Sequence, residues 1–268
     1  MPVECAALSV FGTYRGGGLI ERTLETLAPL DGAAPLLRVA IYFDGASLTD
    51  MEEAMHRGVV EGFTTNPTLA RKAGVKNYRE FARAALARIE DQPISFEVLA
   101  DDLDGIGAQS REIASWGNNV YVKVPICTTD RKSTIPVIRD LAAEGVKVNV
   151  TAVMTLGQVE AVVDALSPGV AAIVSIFAGR VADTGRDPCP LMREAVAVRG
   201  SRSELKVLWA SPREVLNVYQ ADDCGVDVIV LTADLLAKLA LRGKDLEEFS
   251  RETVAMFYDD GLRAGYSI

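Results

Sequence analysis

The feature that most constrains the fold is a regular alternation between short apolar runs and longer segments with helical spacing. The runs are rich in β-branched and aromatic residues, which is typical of β-strands. There are eight of them, at 39–43, 59–64, 94–99, 120–124, 146–151, 171–177, 205–209 and 228–231. Eight β/α units predict a closed parallel (β/α)8 barrel, the TIM-barrel architecture. An open doubly wound sheet is disfavoured because no G-x-G-x-x-G fingerprint follows Phe43.

Two segments lie outside the eight units. Residues 1–37 contain three consecutive glycines, Gly16 to Gly18, and no obvious strand, so we interpret them as an N-terminal extension with a flexible linker. Residues 38–268 form the predicted barrel domain, which ends in an amphipathic helix around 244–263. This C-terminal helix is expected either to cap the barrel or to pack on a partner subunit, as in a homo-oligomer.

Charge and composition narrow the classes of function. Lys and Arg number 28 against 37 Asp and Glu, a net charge of −9, which argues against a nucleic-acid or anionic-membrane binder. No apolar run is long enough to span a bilayer, and residues 1–20 lack a signal-peptide pattern, so we expect a cytoplasmic protein. The four cysteines are widely spaced and predict neither a zinc site nor a disulfide framework.

Polar residues follow or end seven of the eight predicted strands. In a (β/α)8 barrel the chemistry takes place at the carboxyl ends of the strands, so these residues are candidates for an active site. They occur in the sequences F-D-G at 43–45, T-T-N-P at 64–67, F-E-V at 96–98, Y-V-K-V-P at 121–125, V-N-V-T at 148–151, S-I-F-A-G-R at 175–180 and A-S-P-R at 210–213.

Lys123 is the most informative of these residues. Strand alternation places Val120, Val122 and Val124 on the face toward the helices and Lys123, with Tyr121, on the face toward the barrel interior. An interior ammonium loses water, which favours the neutral amine, a nucleophile suited to a Schiff base. The alternative is a structural ion pair with a carboxylate such as Glu97.

Two carboxylates on other strands favour the chemical interpretation. Imine chemistry on a ketose needs proton transfers at the nitrogen-bearing carbon and at a departing hydroxyl, and Asp44 and Glu97 can serve them. Thr151 is a candidate for holding a water. Each also has an ordinary structural explanation, since Asp44 precedes a glycine in a possible turn and Thr151 is a possible helix cap.

Four segments, in this order, resemble the transaldolase family, which includes the fructose-6-phosphate aldolases. They are T-T-N-P-T-L at 64–69, V-K-V-P at 122–125, V-N-V-T at 148–151 and S-I-F-A-G-R at 175–180. The resemblance covers about residues 39–240. It implies a TIM barrel that needs neither cofactor nor metal and acts on sugar phosphates through a class I Schiff-base mechanism.

The resemblance also implies roles for individual residues. Lys123 would condense with the ketone of a sugar phosphate, and Asp44 would take the proton from the hydroxyl beside the bond that breaks. Glu97, with Thr151 and a water, would move protons during imine formation. The implied substrate contacts are Thr64, Asn66, Asn149, Ser175, Phe177 and Ser211, and a phosphate clamp of Arg180 and Arg213. With Lys123, these arginines are expected to make the barrel mouth positive.

Two positions indicate a branch of this family. The aldolase members tend to carry Gln and Tyr where this chain has Glu97 and Phe177, whereas transaldolases carry Glu and Phe. We therefore expect transfer of a dihydroxyacetone unit to an acceptor aldehyde, as in the pentose phosphate pathway. The alternatives are aldol cleavage and addition, or a barrel that binds sugar phosphates without turnover.

Some positions depart from the family pattern. Ile176 replaces the usual Pro, 127–132 lacks a glycine-containing turn, and 210–213 matches the phosphate segment only loosely. These departures leave room for an unusual sugar substrate.

Two other features are given structural explanations. His56, the only histidine, is expected to have a surface or packing role, which excludes a histidine-based triad. Asp101, Asp102 and Asp104 precede a predicted helix, where acidic residues are favoured, and are not expected to bind a metal.

Overall fold

In the computed structural model, residues 37–56 and 58–268 are described. The predicted extension lies outside them apart from Leu37, and so does its glycine run. Eight parallel strands close into a barrel in chain order, which confirms the predicted TIM barrel. They are β1 Ala40–Asp44, β2 Gly62–Thr64, β3 Ile94–Glu97, β4 Val120–Pro125, β5 Val148–Val153, β6 Ala172–Ile176, β7 Leu205–Trp209 and β8 Val228–Leu231.

Helices surround the barrel and connect successive strands. They are α1 Leu48–His56, α2 Pro67–Lys72, α3 Tyr78–Leu86, α4 Leu103–Ala114, α5 Ile135–Ala143, α6 Leu156–Ala165, α7 Ala178–Asp183, α8 Cys189–Arg199, α9 Leu216–Asp223, α10 Ala233–Lys238 and α11 Leu246–Ala264. A short 3-10 helix, Leu239–Leu241, follows α10. Side-chain caps begin several of these helices; Asn66 accepts from the Leu69 amide before α2, and Thr155 forms a capping box before α6.

Two apolar clusters hold the barrel together. The larger lies between strands and helices and includes Val120, Val122 and Val124, as strand alternation predicts. The smaller fills the barrel interior, where Tyr121 packs against it. Its buried members are Tyr42, Ile173, Leu208, Ala210, Val228 and Val230. Burial of one large apolar side chain contributes about 1.5–3 kcal/mol, so this layer is a substantial part of the core.

The interior apolar layer sets the position of the polar one. Side chains on one face of a strand repeat every second residue. Each polar side chain therefore lies two residues beyond an apolar one, toward the carboxyl end of its strand. The pairs are Tyr42 and Asp44, Tyr121 and Lys123, and Ile173 and Ser175. The apolar layer thus forms the floor of a site that opens at that end of the barrel.

Helix α11 packs differently from the others. No residue of α11 is buried, and its apolar side chains include Leu246 at 78% and Phe257 at 65% exposure. Within the described part of the chain, α11 does not make the buried contact that a barrel cap requires. The remaining expectation is a contact with a partner subunit. No helix among residues 37–56 and 58–268 is long and apolar enough to cross a membrane.

Candidate active site

The polar layer is assembled from strands that are adjacent in the barrel. Glu97 on β3 pairs in register with Lys123 on β4, and Lys123 pairs with Asn149 on β5. On the other side, Asp44 on β1 pairs with Thr64 on β2. Predicted site residues that are distant in sequence are therefore brought side by side.

Lys123 is buried, with 6% of its surface exposed. Its Nζ donates a hydrogen bond to the Thr65 carbonyl at 3.2 Å and lies 3.5 Å from Glu97 Oε2. The amine is thus held between a neutral acceptor and a carboxylate. It points into the interior, as the strand pattern predicts.

Burial raises the pKa of both carboxylates of the polar layer. Burial raises the pKa of Asp44 above its ordinary value, and the charge of Lys123 and hydrogen bonds from Thr64 and Asn66 partly oppose this. Burial likewise raises the pKa of Glu97; Lys123 opposes it, and the negative charge of Asp44 adds to it. Both groups therefore take up a proton at a higher pH than a free carboxyl, which suits groups that exchange protons near neutral pH.

Asn149 and Ser175 form a buried hydrogen-bonded chain with Ser95. Ser175 Oγ donates to Asn149 Oδ1 at 2.7 Å, and Asn149 Nδ2 donates to Ser95 Oγ at 3.0 Å. Each serine hydroxyl can donate or accept, so the two bonds hold the plane of the Asn149 amide between Ser95 and Ser175. Asn149 is the member of this chain that lies next to Lys123 in the barrel.

Thr151 has an unusual local setting. Its Oγ1 is buried and has no hydrogen-bond partner among the described groups. The next residue, Ala152, has φ of +61°, and the pairing of β5 with β6 shifts register between Val150 and Val153. A non-glycine residue in the left-handed region costs about 1–3 kcal/mol, and such residues cluster at active sites. The role of Thr151 in holding a water stays a prediction.

Thr64 and Asn66 lie against Asp44. Thr64 Oγ1 donates to Asp44 Oδ1 at 2.8 Å, and the Asn66 side chain also hydrogen-bonds to this carboxylate. Asn66 additionally caps α2 by accepting from the Leu69 amide at 2.9 Å. Its structural and functional interpretations are therefore both compatible with the geometry.

Of the predicted phosphate-binding arginines, Arg180 lies in the first turn of α7, which follows β6, and Arg213 lies on the loop after β7. The Arg180 guanidinium is 5.6 Å from the centre of the Phe177 ring, within range of a cation–π contact. Arg213 forms an exposed ion pair with Asp183 at the end of α7. A phosphate that bound Arg213 would therefore either displace the Asp183 carboxylate or share the guanidinium with it. The sequence prediction does not include Asp183.

The backbone of Ser211 lies against Gly179 at the start of α7. It has φ of +58°, and a Cβ on Gly179 would lie 1.6 Å from the Ser211 carbonyl oxygen. Only glycine permits this approach of the loop after β7 to the start of α7. The contact brings the start of α7, which carries Arg180, against the loop that carries Arg213.

Sequence reasoning missed three residues of this region. Ser95 lies two positions before Glu97, so period two alone places it inside. Thr65 is part of the recognised 64–69 segment but is predicted only as a neighbour of Thr64. Tyr78, on α3, contacts both Thr65 and the Glu97 amide, and no local signal indicates it.

Discounted features have the expected local roles. His56 is exposed and contacts the Glu52 carbonyl. Asp102 caps α4, and Asp101 accepts from the Thr129 amide. No cluster of three His, Cys, Asp or Glu side chains suited to a metal ion occurs at residues 37–56 or 58–268.

A sequence profile of the family described as Transaldolase/Fructose-6-phosphate aldolase matches residues 41–264. The chain belongs to this family. It is 32% identical over 200 residues to a probable transaldolase from Dehalococcoides mccartyi, covering 74% of this chain and 89% of that protein. It is 37% identical over 189 residues to a probable transaldolase from Roseiflexus sp., covering 70% and 83%.

Solved structures show the same fold at low sequence identity. Dihydrodipicolinate synthase from Rhodopseudomonas palustris superposes with a TM-score of 0.52 at 13% identity, covering 87% of this chain and 83% of that one. KGPDC from Streptococcus mutans gives a TM-score of 0.50 at 14% identity, covering 76% and 94%. These similarities concern the barrel architecture alone.

Proposed function

We propose that this transaldolase-family protein transfers a dihydroxyacetone unit from a ketose phosphate to an aldehyde acceptor through a Schiff base on Lys123. The observation that carries the proposal is the placement of Lys123 Nζ inside the barrel, 3.5 Å from Glu97 and electrostatically coupled to Asp44. A structural ion pair needs one carboxylate, whereas two buried carboxylates of raised pKa supply two separate proton-transfer groups.

Imine formation is the first step. The neutral amine of Lys123 attacks the ketone carbon and gives a carbinolamine, which loses water to form an iminium ion. Glu97 supplies a proton to the departing hydroxyl, and Thr151 Oγ1 holds the water through which it moves. The buried, unpartnered Thr151 hydroxyl supports this assignment.

Cleavage of the carbon–carbon bond follows. Asp44 takes the proton from the hydroxyl next to the bond, the bond breaks, and an aldehyde leaves. The electron pair of the broken bond is stored as an enamine on Lys123. The hydrogen bond from Thr64 orients Asp44 for this role.

Transfer reverses these events with another aldehyde. The enamine carbon attacks the acceptor carbonyl, Asp44 returns a proton to the new alkoxide, and water releases the product from Lys123. Asn66, Asn149 and Ser175 hold the hydroxyls of the dihydroxyacetone unit. Arg180, Arg213 and the loop at Ser211 hold the phosphate, while Phe177 packs beside them.

Borohydride trapping tests the proposal. Incubation with fructose 6-phosphate and borohydride, followed by peptide mass spectrometry, is expected to label Lys123, and Lys123→Met is expected to abolish label and activity. The control is Lys147→Met. Lys147 lies just before β5 and donates to the Asn118 carbonyl, and its variant should retain both the label at Lys123 and the activity. Label on a different lysine, or none with any of a panel of ketose phosphates, contradicts the proposal.

The family also includes aldolases, which gives the second candidate function. Assays with and without an acceptor aldehyde separate the two. Rapid release of free dihydroxyacetone without acceptor would establish the aldolase alternative, and sugar-phosphate binding without turnover would establish a binding barrel. A cytoplasmic location and a place in pentose phosphate metabolism remain predictions from the sequence.

A further inference from the structure

The backbone amide of Glu97, at the end of β3, has no hydrogen-bond partner on strand β2. Strand β2 ends at Thr64. The Thr65 amide still donates to the Ser95 carbonyl, but the chain then turns into α2, which begins at Pro67. The Glu97 amide is beyond the reach of this short ladder. It donates instead to the phenol oxygen of Tyr78 at 3.0 Å.

The same phenol contacts Thr65, so its hydrogen-bond direction can be assigned. Thr65 Oγ1 donates its single proton to the Ser95 carbonyl at 2.9 Å. The Tyr78 hydroxyl, 3.3 Å from Thr65 Oγ1, is therefore the donor in that contact. Burial raises the pKa of Tyr78, which keeps the phenol protonated and able to donate.

Both residues held by Tyr78 hold Lys123. The Thr65 carbonyl accepts from Lys123 Nζ, and the Glu97 carboxylate lies 3.5 Å from it. We propose that Tyr78 is a positioning residue, which fixes Thr65 and Glu97 so that the two groups flank Lys123 Nζ at the geometry needed for imine formation. This rests on the proposed Schiff-base function.

The ring of Tyr78 is anchored independently of its hydroxyl. It packs edge-on against Phe96 at 6.3 Å between ring centres and lies 6.2 Å from the Phe81 ring. Tyr78→Phe therefore retains the packing and removes only the hydroxyl. Tyr219→Phe is the matched control, because that ring lies on α9 beside Arg242.

The test compares kcat, KM and the rate of imine formation. Tyr78→Phe is expected to lower kcat by about tenfold or more, to change the KM for fructose 6-phosphate by less than about threefold, and to slow single-turnover borohydride trapping at Lys123 in parallel. Tyr219→Phe should change none of these. A general loss of folded protein does not produce this pattern once rates are divided by the number of trappable sites.

Thr65→Val provides a second variant, which keeps the backbone carbonyl and removes the hydroxyl that Tyr78 contacts. It is expected to lower kcat in the same direction, and the double variant should lose less than the product of the two single losses. An unchanged kcat in folded Tyr78→Phe, or in folded Thr65→Val if the former does not fold, overturns the proposal. If the parent shows no label at Lys123, the proposed function itself fails.

Discussion

Asp44 and Glu97 belong to the same polar layer, but different groups surround their carboxylates. Asp44 accepts hydrogen bonds from Thr64 and Asn66, whereas Glu97 contacts Lys123 and is affected by the negative charge of Asp44. Hydrogen bonds that stabilise a carboxylate lower its pKa, and a nearby negative charge raises it. These environments support distinct roles, a base at Asp44 and a proton donor at Glu97.

Thr64→Val tests the role of Asp44 as a base. The valine removes a hydrogen bond that stabilises the carboxylate, so the pKa of Asp44 should rise further. A base acts when deprotonated, and the acidic limb of the profile of kcat/KM against pH should therefore move to higher pH. The control is Thr128→Val, which changes a buried threonine on the loop after β4 and should leave the profile unchanged. If the acidic limb of the Thr64→Val profile does not move, Asp44 is not the base.

Glu97→Gln tests the choice between transfer and free-donor chemistry. Glutamine keeps the shape but cannot ionise, and we expect less retention of the enamine for an acceptor. The ratio of free dihydroxyacetone release to transfer should rise severalfold, while total turnover falls by about 10²-fold or more because a proton-transfer group is lost. Product analysis with and without acceptor measures the ratio, and an unchanged ratio contradicts the hypothesis.

The start of α7 and the loop after β7 act as one element because they meet at Gly179 and Ser211. The Gly179 amide donates to the Ala210 carbonyl at 3.3 Å, and the Ser211 carbonyl occupies the space where a side chain on Gly179 would lie. Arg180 and Arg213 follow these contact points closely. The geometry of the proposed phosphate site thus depends on a backbone contact between α7 and this loop.

Gly179→Ala tests this contact. A methyl group there meets backbone atoms, which cannot move as a flexible side chain does, and overpacking of this kind costs about 1–3 kcal/mol. We expect a Tm lower by several degrees and a KM for fructose 6-phosphate raised by about tenfold. Gly157→Ala on α6 is the control because no atom lies within 4 Å of its added Cβ. Equal behaviour of the two variants would show that the contact is unimportant.

At the scale of the whole molecule, charge is distributed unevenly. The chain carries a net charge of −9, and the sequence predicts a positive barrel mouth. In the structure Lys123 lies beside Glu97 and Arg213 is paired with Asp183, so the mouth is less positive than the count of its cations suggests. Under the proposed function, attraction of a phosphorylated substrate depends on the local arrangement of the arginines.

We expect the exposed apolar face of α11 to contact a second copy of the chain. Leu246, Val254, Phe257 and Tyr258 lie within about a third of the helix circumference at 3.6 residues per turn, and all are exposed. Phe257→Glu is expected to lower the molar mass in sedimentation or light scattering by disrupting this contact. Asp259→Lys, on the opposite face, should not change it. A monomeric parent protein would contradict the expectation.

The alternation of apolar runs was sufficient to predict the barrel because each run corresponds to one strand and each connection to helices. Period two also predicted that Lys123 faces inward, and it places Asp44 and Glu97 on the same side. The predicted β2 run, 59–64, is longer than the observed strand, Gly62–Thr64, because pairing with β1 begins only at Gly62. These features depend on local pattern.

Other features depend on elements that are distant in the chain. The contact of Tyr78 with Thr65 and Glu97, the pairing of Arg213 with Asp183, and the closeness of Gly179 to Ser211 arise only when helices and loops pack. By itself the sequence determined the barrel and which strand ends carry polar groups, because side-chain periodicity is local. Only the tertiary structure decided which groups orient, neutralise or crowd these polar side chains, because such interactions join residues that no periodic pattern relates.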